Sequence, residues 1–174
     1  MDKYQKINKR QWGKRMNQRD KKIQNKYLLF RIGQEKFGID IMAVKEIEEK
    51  NHFEEMAISP YCKGVMCLGD GKVPIYSLNH KLNPKGVEKE GAKKQRIITR
   101  SKDLLLALEV DEVLGVEEIA ERDIYNTPSL LKTKSTRYLK LLANIEDELI
   151  LLLDENNIID EQEYEDIKNA IKKG

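Results

Sequence analysis

Two short apolar segments joined by a glycine-rich turn constrain the fold more than any other feature of this sequence. Residues 64–68 read Gly-Val-Met-Cys-Leu, residues 69–71 read Gly-Asp-Gly, and residues 72–76 read Lys-Val-Pro-Ile-Tyr. Because glycine adopts positive φ angles at little cost, this turn between apolar runs predicts a β-hairpin. Apolar residues also alternate with small or polar ones across residues 37–41, as in a strand with one buried face. A β-rich fold is therefore expected.

Further strand patterns, each bounded by turn residues, follow along the chain. Their predicted positions are residues 27–32, 37–41, 64–68, 72–78, 96–99, 104–110, 113–116, 138–145 and 149–153. Residues 42–47 are predicted as a further strand or a short irregular segment. The order strand, turn, strand and then a short apolar motif occurs twice, ending in Val-Lys-Glu-Ile at 44–47 and Asp-Glu-Val-Leu at 111–114. This indicates a faint internal repeat. About ten short strands at close intervals predict small barrels or a sandwich.

The first 26 residues differ in charge from the rest of the chain. Residues 1–26 carry ten lysines and arginines against two aspartates, a net charge of +8, whereas the remainder carries −6. This composition predicts a basic arm that is disordered or forms a short helix. The arm contains no nucleic-acid-binding motif, so nucleic acid is not an expected partner.

Composition also divides the rest of the chain. Residues 83–94 contain a proline, two glycines and several charged residues, as is typical of a linker. The linker separates a predicted first barrel at residues 27–82 from a second at residues 95–154. Apolar residues recur at helical spacing near the end of the chain, which predicts a C-terminal helix within residues 155–174.

The motifs of common enzyme classes are missing from the sequence. It contains no nucleophile elbow, no phosphate-binding loop followed by a helix and no dinucleotide-binding fingerprint. Carboxylates cluster at residues 46–55 and 109–112, a pattern typical of solvated faces rather than of a catalytic pair. We expect neither catalysis, nor a small-molecule substrate, nor a cofactor. A small hydrolase remains an alternative.

Four residues could in principle form a zinc site. Cys62 and Cys67, with His52 and His80, supply suitable ligand types, but the Cys-x4-Cys spacing lacks a second pair. No metal site is expected, and Cys67 is interpreted as a small core residue. The longest apolar runs have five residues, too few to cross a bilayer, and no secretory signal is visible. The expected location is the cytoplasm.

Four segments, in this order and spacing, resemble the CheW-like domain family. They are Phe37-Gly-Ile-Asp-Ile41, Val44-Lys-Glu-Ile47, Lys63-Gly-Val65 and Val73-Pro-Ile-Tyr-Ser-Leu78. The resemblance covers residues 27–159 and implies a mainly β fold of two packed five-stranded SH3-like barrels with a C-terminal helix. It further implies a non-enzymatic adaptor of bacterial chemotaxis. Such an adaptor holds the regulatory domain of a CheA-type histidine kinase and the cytoplasmic tip of chemoreceptors, in receptor arrays at the inner membrane.

The resemblance also implies which residues contact partners. The implied positions are Val44, Glu46, Gly64, Gly69, Asp70, Val113 and Val116. The last two correspond to apolar positions near the groove between the barrels, although both are also explained as core residues. The family usually has an Arg-Gly pair where this chain has Gly69 and Asp70, a change of −2 in local charge. Such a change at an interface rim alters partner choice more than folding.

An alternative gives the basic arm the main role. In that hypothesis the β-barrel module has been repurposed, and residues 1–26 contact a membrane or a nucleic acid. Binding that depends on the arm would be lost at high salt.

Overall fold

The computed structural model describes residues 25–49, 52–87 and 91–173. Within these ranges twelve strands form two sheets. The strands are β1 Lys26–Ile32, β2 Glu35–Asp40, β3 Val44–Glu48, β4 Glu54–Glu55, β5 Cys62–Leu68, β6 Gly71–Ser77, β7 Gln95–Ser101, β8 Leu104–Val110, β9 Glu112–Glu118, β10 Ile124–Asn126, β11 Leu139–Ile145 and β12 Glu148–Leu153. The helices are α1 Leu78–Leu82 and α2 Glu161–Lys172. The predicted mainly β fold with a C-terminal helix is confirmed.

The two sheets contain six strands each. The first sheet has the order β10-β11-β12-β2-β1-β9, and the second has the order β3-β7-β8-β6-β5-β4. Reading the second sheet in reverse shows that β7–β12 take the places of β1–β6, so the faint internal repeat is a structural one. Each repeat gives its first two strands to one sheet and its last four to the other.

This exchange of hairpins means that the sheets do not follow the predicted division of the chain at residues 83–94. Strands β1 and β2 pair with the later part of the chain, through β9 and the parallel pair β2–β12. Strands β7 and β8 pair with the earlier part, through β3 and the parallel pair β6–β8. The linker therefore joins two interleaved repeats rather than two consecutive barrels.

The main hydrophobic core lies between the sheets. On β1, Leu28 and Phe30 point into it, whereas Tyr27 and Leu29 belong to a separate cluster on the opposite face. The ring of Phe30 stacks on that of Phe37 with centroids 5.9 Å apart. A strand that is buried on both faces loses the strict apolar–polar alternation, which explains the continuous apolar run in β1.

Each sheet also carries a second buried cluster on the face that points away from the main core. In the first sheet, Leu114 of β9 and Ile124 of β10 both pack on the cluster formed around Ala143 and Ile150. Because β9 and β10 are opposite edges of this sheet, the sheet must curl strongly, as in an SH3-like unit. Among the described residues no ladder joins the two edges, and six strands replace the five that were expected.

Helix α2 begins later than the predicted segment because a capping box fixes its first turn. The Asp160 carboxylate accepts a hydrogen bond from Glu163 N (2.8 Å), and the Glu163 carboxylate accepts one from Asp160 N (3.0 Å). Ile167 then enters the central core. Among the described residues, no helix is long and apolar enough to span a membrane.

Glu163 also anchors α2 to the rest of the protein. Its buried carboxylate accepts a hydrogen bond from Tyr76 Oη (2.7 Å) and lies 3.4 Å from Lys81 Nζ. The lysine additionally donates to the carbonyl oxygen of Ile158. Burial, followed by the hydrogen bond to Glu163, raises the pKa of Tyr76 far above its usual value. The phenol is therefore a neutral donor at any ordinary pH.

Asp111 joins three connecting segments. Its carboxylate accepts hydrogen bonds from Gly33 N (2.7 Å) in the β1–β2 turn, from Asn79 Nδ2 (2.8 Å) in α1, and from Lys94 at the end of the linker. Burial alone raises the pKa of Asp111. The three donors outweigh that effect, and its pKa lies below the usual 3.8.

We expect Asp111→Asn to lower the free energy of unfolding by about 2 kcal/mol at pH 7, because it weakens several charge-assisted hydrogen bonds. A carboxylate with a lowered folded-state pKa stabilises the protein above the unfolded value and loses that contribution as the pH falls through the folded value. The difference between the two proteins should therefore shrink as the pH falls below 3.8, the usual aspartate pKa. Urea unfolding of both proteins at pH values above and below 3.8 tests this expectation, and Asp70→Asn, at an exposed residue, is the control. A difference independent of pH would contradict the assignment.

Candidate protein-binding site

The hairpin turn between β5 and β6 presents two of the predicted contact residues. Leu68 pairs with Gly71, so Gly69 and Asp70 are the two central residues of the turn. Gly69 has a φ of +59°, and Gly71 is not among the residues with positive φ. Glycine at the first central position is typical of a type II′ turn. Asp70 is exposed at the tip.

The backbone at Gly69 limits which side chains this position accepts. A Cβ atom built on Gly69 would meet nothing within 4 Å, so space does not exclude a side chain there. The positive φ does disfavour one, because L-residues are strained in that conformation. An arginine at this position would therefore be strained in the turn that this chain adopts.

Gly64 was predicted as a surface position, but it is buried in β5. A Cβ atom there would lie 2.3 Å from the Glu54 carbonyl oxygen and 2.8 Å from a ring carbon of Phe53. Glycine is required because β4 and the preceding residues lie directly against it. Gly64 thus shapes the surface without offering a side chain to a partner.

The two predicted valines on β3 and β9 also lie inside. Val44 is 0% exposed and Val113 is 4% exposed, and both belong to the core between the sheets. Their alternation with polar neighbours places them on the inward faces of their strands. Glu46 is half-buried and Val116 is 43% exposed. Of the seven predicted residues, Glu46, Gly69, Asp70 and Val116 remain accessible.

A cleft of about 750 Å³ brings some of these elements together. We call it the acidic cleft. Its lining includes the apolar side chains of Phe53, Met66 and Leu68, the carboxylates of Glu48 and Glu54, and Gly69. Glu46 lies two residues before Glu48 on the same strand, so the end of β3 and the β5–β6 turn border one concave surface. Val116 lies on the other sheet and is not part of it.

Phe53 is held in place by two cations. Lys63 Nζ lies 5.3 Å from its ring centroid and the Arg96 guanidinium lies 5.2 Å from it. Both cations pair with Glu109, which is 2% exposed, and Arg96 Nε is 3.3 Å from its Oε2. These cation–π contacts fix one wall of the acidic cleft. The signal in the sequence was an isolated phenylalanine in an otherwise polar loop.

The cysteines lie on opposite sides of β5. Cys67 is exposed and lines the acidic cleft, so its interpretation as a core residue was wrong. Cys62 is the buried one, and burial raises the pKa of its thiol to about 11. Within the described ranges, no group of three or more His, Cys, Asp or Glu side chains could hold a metal ion.

A second accessible surface lies on the outer face of β10–β12. Tyr125, Leu142 and Leu151 lie side by side on three neighbouring strands. Leu149 lies two residues before Leu151 and on the same face of β12. Tyr125 is 53% exposed and Leu149 is 59% exposed. We call these four residues the outer patch. Leu142 and Leu151 are half-buried between these two exposed residues. Contiguous accessible apolar side chains mark protein-binding surfaces.

Known proteins share this architecture. The CheW-like domain family matches residues 26–163. The chain is 27% identical over 151 residues to the chemotaxis protein CheW of Klebsiella aerogenes, covering 86% of this chain and 90% of that protein. It is 27% identical over 139 residues to the protein of the same name from Rhizobium meliloti, covering 79% and 89%.

A solved structure supports the same fold. The scaffolding protein TtCheW from Thermoanaerobacter tengcongensis matches with a TM-score of 0.65 at 24% identity, covering 75% of this chain and 88% of that one. The family match includes all twelve strands and ends at Glu163, the residue that anchors α2. This chain therefore belongs to the CheW-like domain family.

Proposed function

We propose that this protein couples chemoreceptors to a CheA-type histidine kinase by binding each at a different surface. The observation that carries the proposal is the presence of two separate accessible surfaces, one on each sheet: the acidic cleft with its turn, and the outer patch. A scaffold must bind two partners at once, and two distinct surfaces permit this. It acts in the cytoplasm, at receptor arrays that its partners attach to the inner membrane.

We assign the kinase regulatory domain to the outer patch. This patch continues from the core, since Leu151 also packs against the buried cluster between the sheets. Its rim includes the exposed polar residue Asn144, which pairs with Leu149 on the neighbouring strand. An apolar centre with a polar rim is the usual anatomy of a protein interface.

We assign the receptor tip to the acidic cleft and its turn. Glu48, Glu54 and Asp70 give this surface a negative charge, and Phe53 and Leu68 give it an apolar wall. A receptor that binds here should present basic side chains beside an apolar one, because complementary charge governs partner choice and association rate. The change of charge at Gly69 and Asp70 thus selects the receptor rather than abolishing the contact.

The kinase assignment predicts that Leu149→Asp weakens binding of the kinase regulatory domain at least about tenfold, equivalent to roughly 1.4 kcal/mol. In the complex, the introduced carboxylate would be buried without a group of opposite charge beside it. Val87, which is 92% exposed in the linker, provides the matched control Val87→Asp. Isothermal titration of the full chain, with the kinase domain and the receptor hairpin fragment of the same organism, measures both affinities.

Wild-type protein should bind both partners at micromolar affinity or better. Leu149→Asp should leave receptor binding unchanged, and Asp70→Arg should change receptor binding alone. Equal effects of Leu149→Asp and Val87→Asp on kinase binding would contradict the assignment of the outer patch. Failure to bind either partner would contradict the proposed coupling.

The alternative role of the basic arm gains no support from the comparisons, since the family match begins at residue 26. Residues 1–24 lie outside the described residues.

A further inference from the structure

We infer that residues 1–24, which form most of the basic arm, bind in the acidic cleft of their own chain. Two carboxylates, Glu48 and Glu54, line the cleft, and Asp70 follows the lining residue Gly69. Among the described residues that line it there is no lysine or arginine. Lys63 and Arg96, which hold Phe53, are already paired with Glu109. Glu54 pairs with Lys72 at 3.7 Å between two exposed side chains, so this ion pair is weak and exchangeable.

The arm has the complementary composition. Residues 1–24 contain nine lysines and arginines and two aspartates, and they include the apolar side chains of Trp12 and Met16. The cleft offers acidic groups together with the apolar surface of Phe53 and Leu68. A basic segment carrying a large aromatic side chain satisfies both features, because charge gives the orientation and the buried aromatic surface gives the affinity.

The point of attachment allows the arm to reach the cleft. Asn25 is held at the start of β1 by a hydrogen bond from Ile119 N to its carbonyl oxygen (2.8 Å). Tyr27, two residues after Asn25, pairs with Asp40 on β2. Asp40 lies eight residues before Glu48, which lines the cleft, so these two residues are at most about 26 Å apart at the rise of a strand. Trp12 lies thirteen residues before Asn25, and an extended chain of that length spans roughly 40 Å.

Attachment to the same chain also favours this occupant over a free peptide. A short tether gives an effective concentration on the order of millimolar, so even a weak contact is populated. A regulatory consequence rests on the proposed function: because the cleft and the turn share Gly69, an arm bound there competes with the receptor.

The chain carries its own probes for this contact. Trp12 is the single tryptophan, Cys67 lines the cleft and is exposed, and Cys62 is buried. Bimane attached to Cys67 in the full chain is quenched by tryptophan only at short range. We expect the bimane fluorescence of the full chain to be about half of that of the Trp12→Phe protein, as for a contact populated through a short tether. The difference should vanish near 1 M salt, where the Debye length is about 3 Å.

Unlabelled protein provides a second measurement, because the label itself occupies part of the cleft. Acrylamide should quench Trp12 more strongly in the variant Glu48→Lys/Glu54→Lys than in the wild type. The control Glu121→Lys/Glu165→Lys makes the same change of charge at exposed positions outside the cleft and should match the wild type.

Three results would overturn the inference. They are equal bimane fluorescence with and without Trp12, equal acrylamide quenching in the cleft and control variants, and a bimane signal that recovers on dilution. The last would assign the cleft to the arm of a second copy. These measurements use the protein alone, so their failure leaves the proposed coupling of receptor and kinase untouched, and failure of partner binding leaves the arm contact untouched.

Discussion

Gly64→Ala is expected to lower the free energy of unfolding by about 3 kcal/mol, at the upper end of the usual cost of overpacking. The added Cβ atom would lie 2.3 Å from the carbonyl oxygen of Glu54, a backbone atom that cannot rotate away. It would also lie 2.8 Å from a ring carbon of Phe53, which two cations hold in place. Relief requires β4 to move off β5, and this would reshape the acidic cleft.

Gly71→Ala is the matched control in the adjacent strand. A Cβ atom at Gly71 would lie 3.6 Å from the carbonyl oxygen of Leu68, an ordinary van der Waals contact. This variant should change the free energy of unfolding by less than about 0.5 kcal/mol. Urea unfolding monitored by circular dichroism compares the two. A loss in Gly64→Ala no larger than that in Gly71→Ala would show that β4 moves aside at little cost.

Glu163→Ala is expected to cost about 3 kcal/mol, as is typical of removing one partner from a buried ion pair. It leaves the Lys81 ammonium, whose side chain is 15% exposed, without its carboxylate. It also removes the acceptor of the buried Tyr76 hydroxyl and one half of the capping box that begins α2. The first turn of α2 and its docking on the core should weaken together.

Glu165→Ala, on the exposed side of the same helix, is the control for helix propensity. Glu163→Gln should fall between wild type and Glu163→Ala, because an amide still accepts the hydrogen bond from Tyr76. Urea unfolding gives the three stabilities, and hydrogen exchange of the α2 amides shows whether the helix undocks. If Glu163→Ala and Glu165→Ala lost the same stability, the buried contacts would not anchor the helix.

The interleaved repeats bear directly on the proposed scaffold role. The outer patch lies on the first sheet and the acidic cleft on the second, and one core of residues from both sheets lies between them. Because protein cores are densely packed and poorly compressible, the two surfaces keep a fixed relative geometry. A partner bound at one surface is therefore held at a defined orientation to a partner at the other.

The secondary structure was largely readable from local sequence. Alternation with a period of two located the strands, and the Gly-Asp-Gly segment located the β5–β6 turn. The positive φ angle, however, lies on Gly69 rather than on the glycine after Asp70. The turn type depends on the pairing of Leu68 with Gly71, and this register is set by the flanking strands.

The burial of charged side chains could not be predicted from the sequence. The clustered carboxylates of residues 109–112 match the composition of a solvated face, yet Glu109 is 2% exposed and Asp111 joins three segments. The partners of Glu109 are Arg96, thirteen residues away, and Lys63, forty-six residues away. A buried charge depends on such distant partners, which no local pattern contains.

The sequence by itself determined the strands, the hairpins, the repeat and the family, because these depend on neighbouring residues and on motifs in a fixed order. Only the tertiary structure decided that the first hairpin of each repeat joins the other sheet, and that Val44, Gly64 and Val113 face inward. Alternation shows that a strand has an inner face, but not which sheet covers it. That choice is made by contacts between residues far apart in the chain.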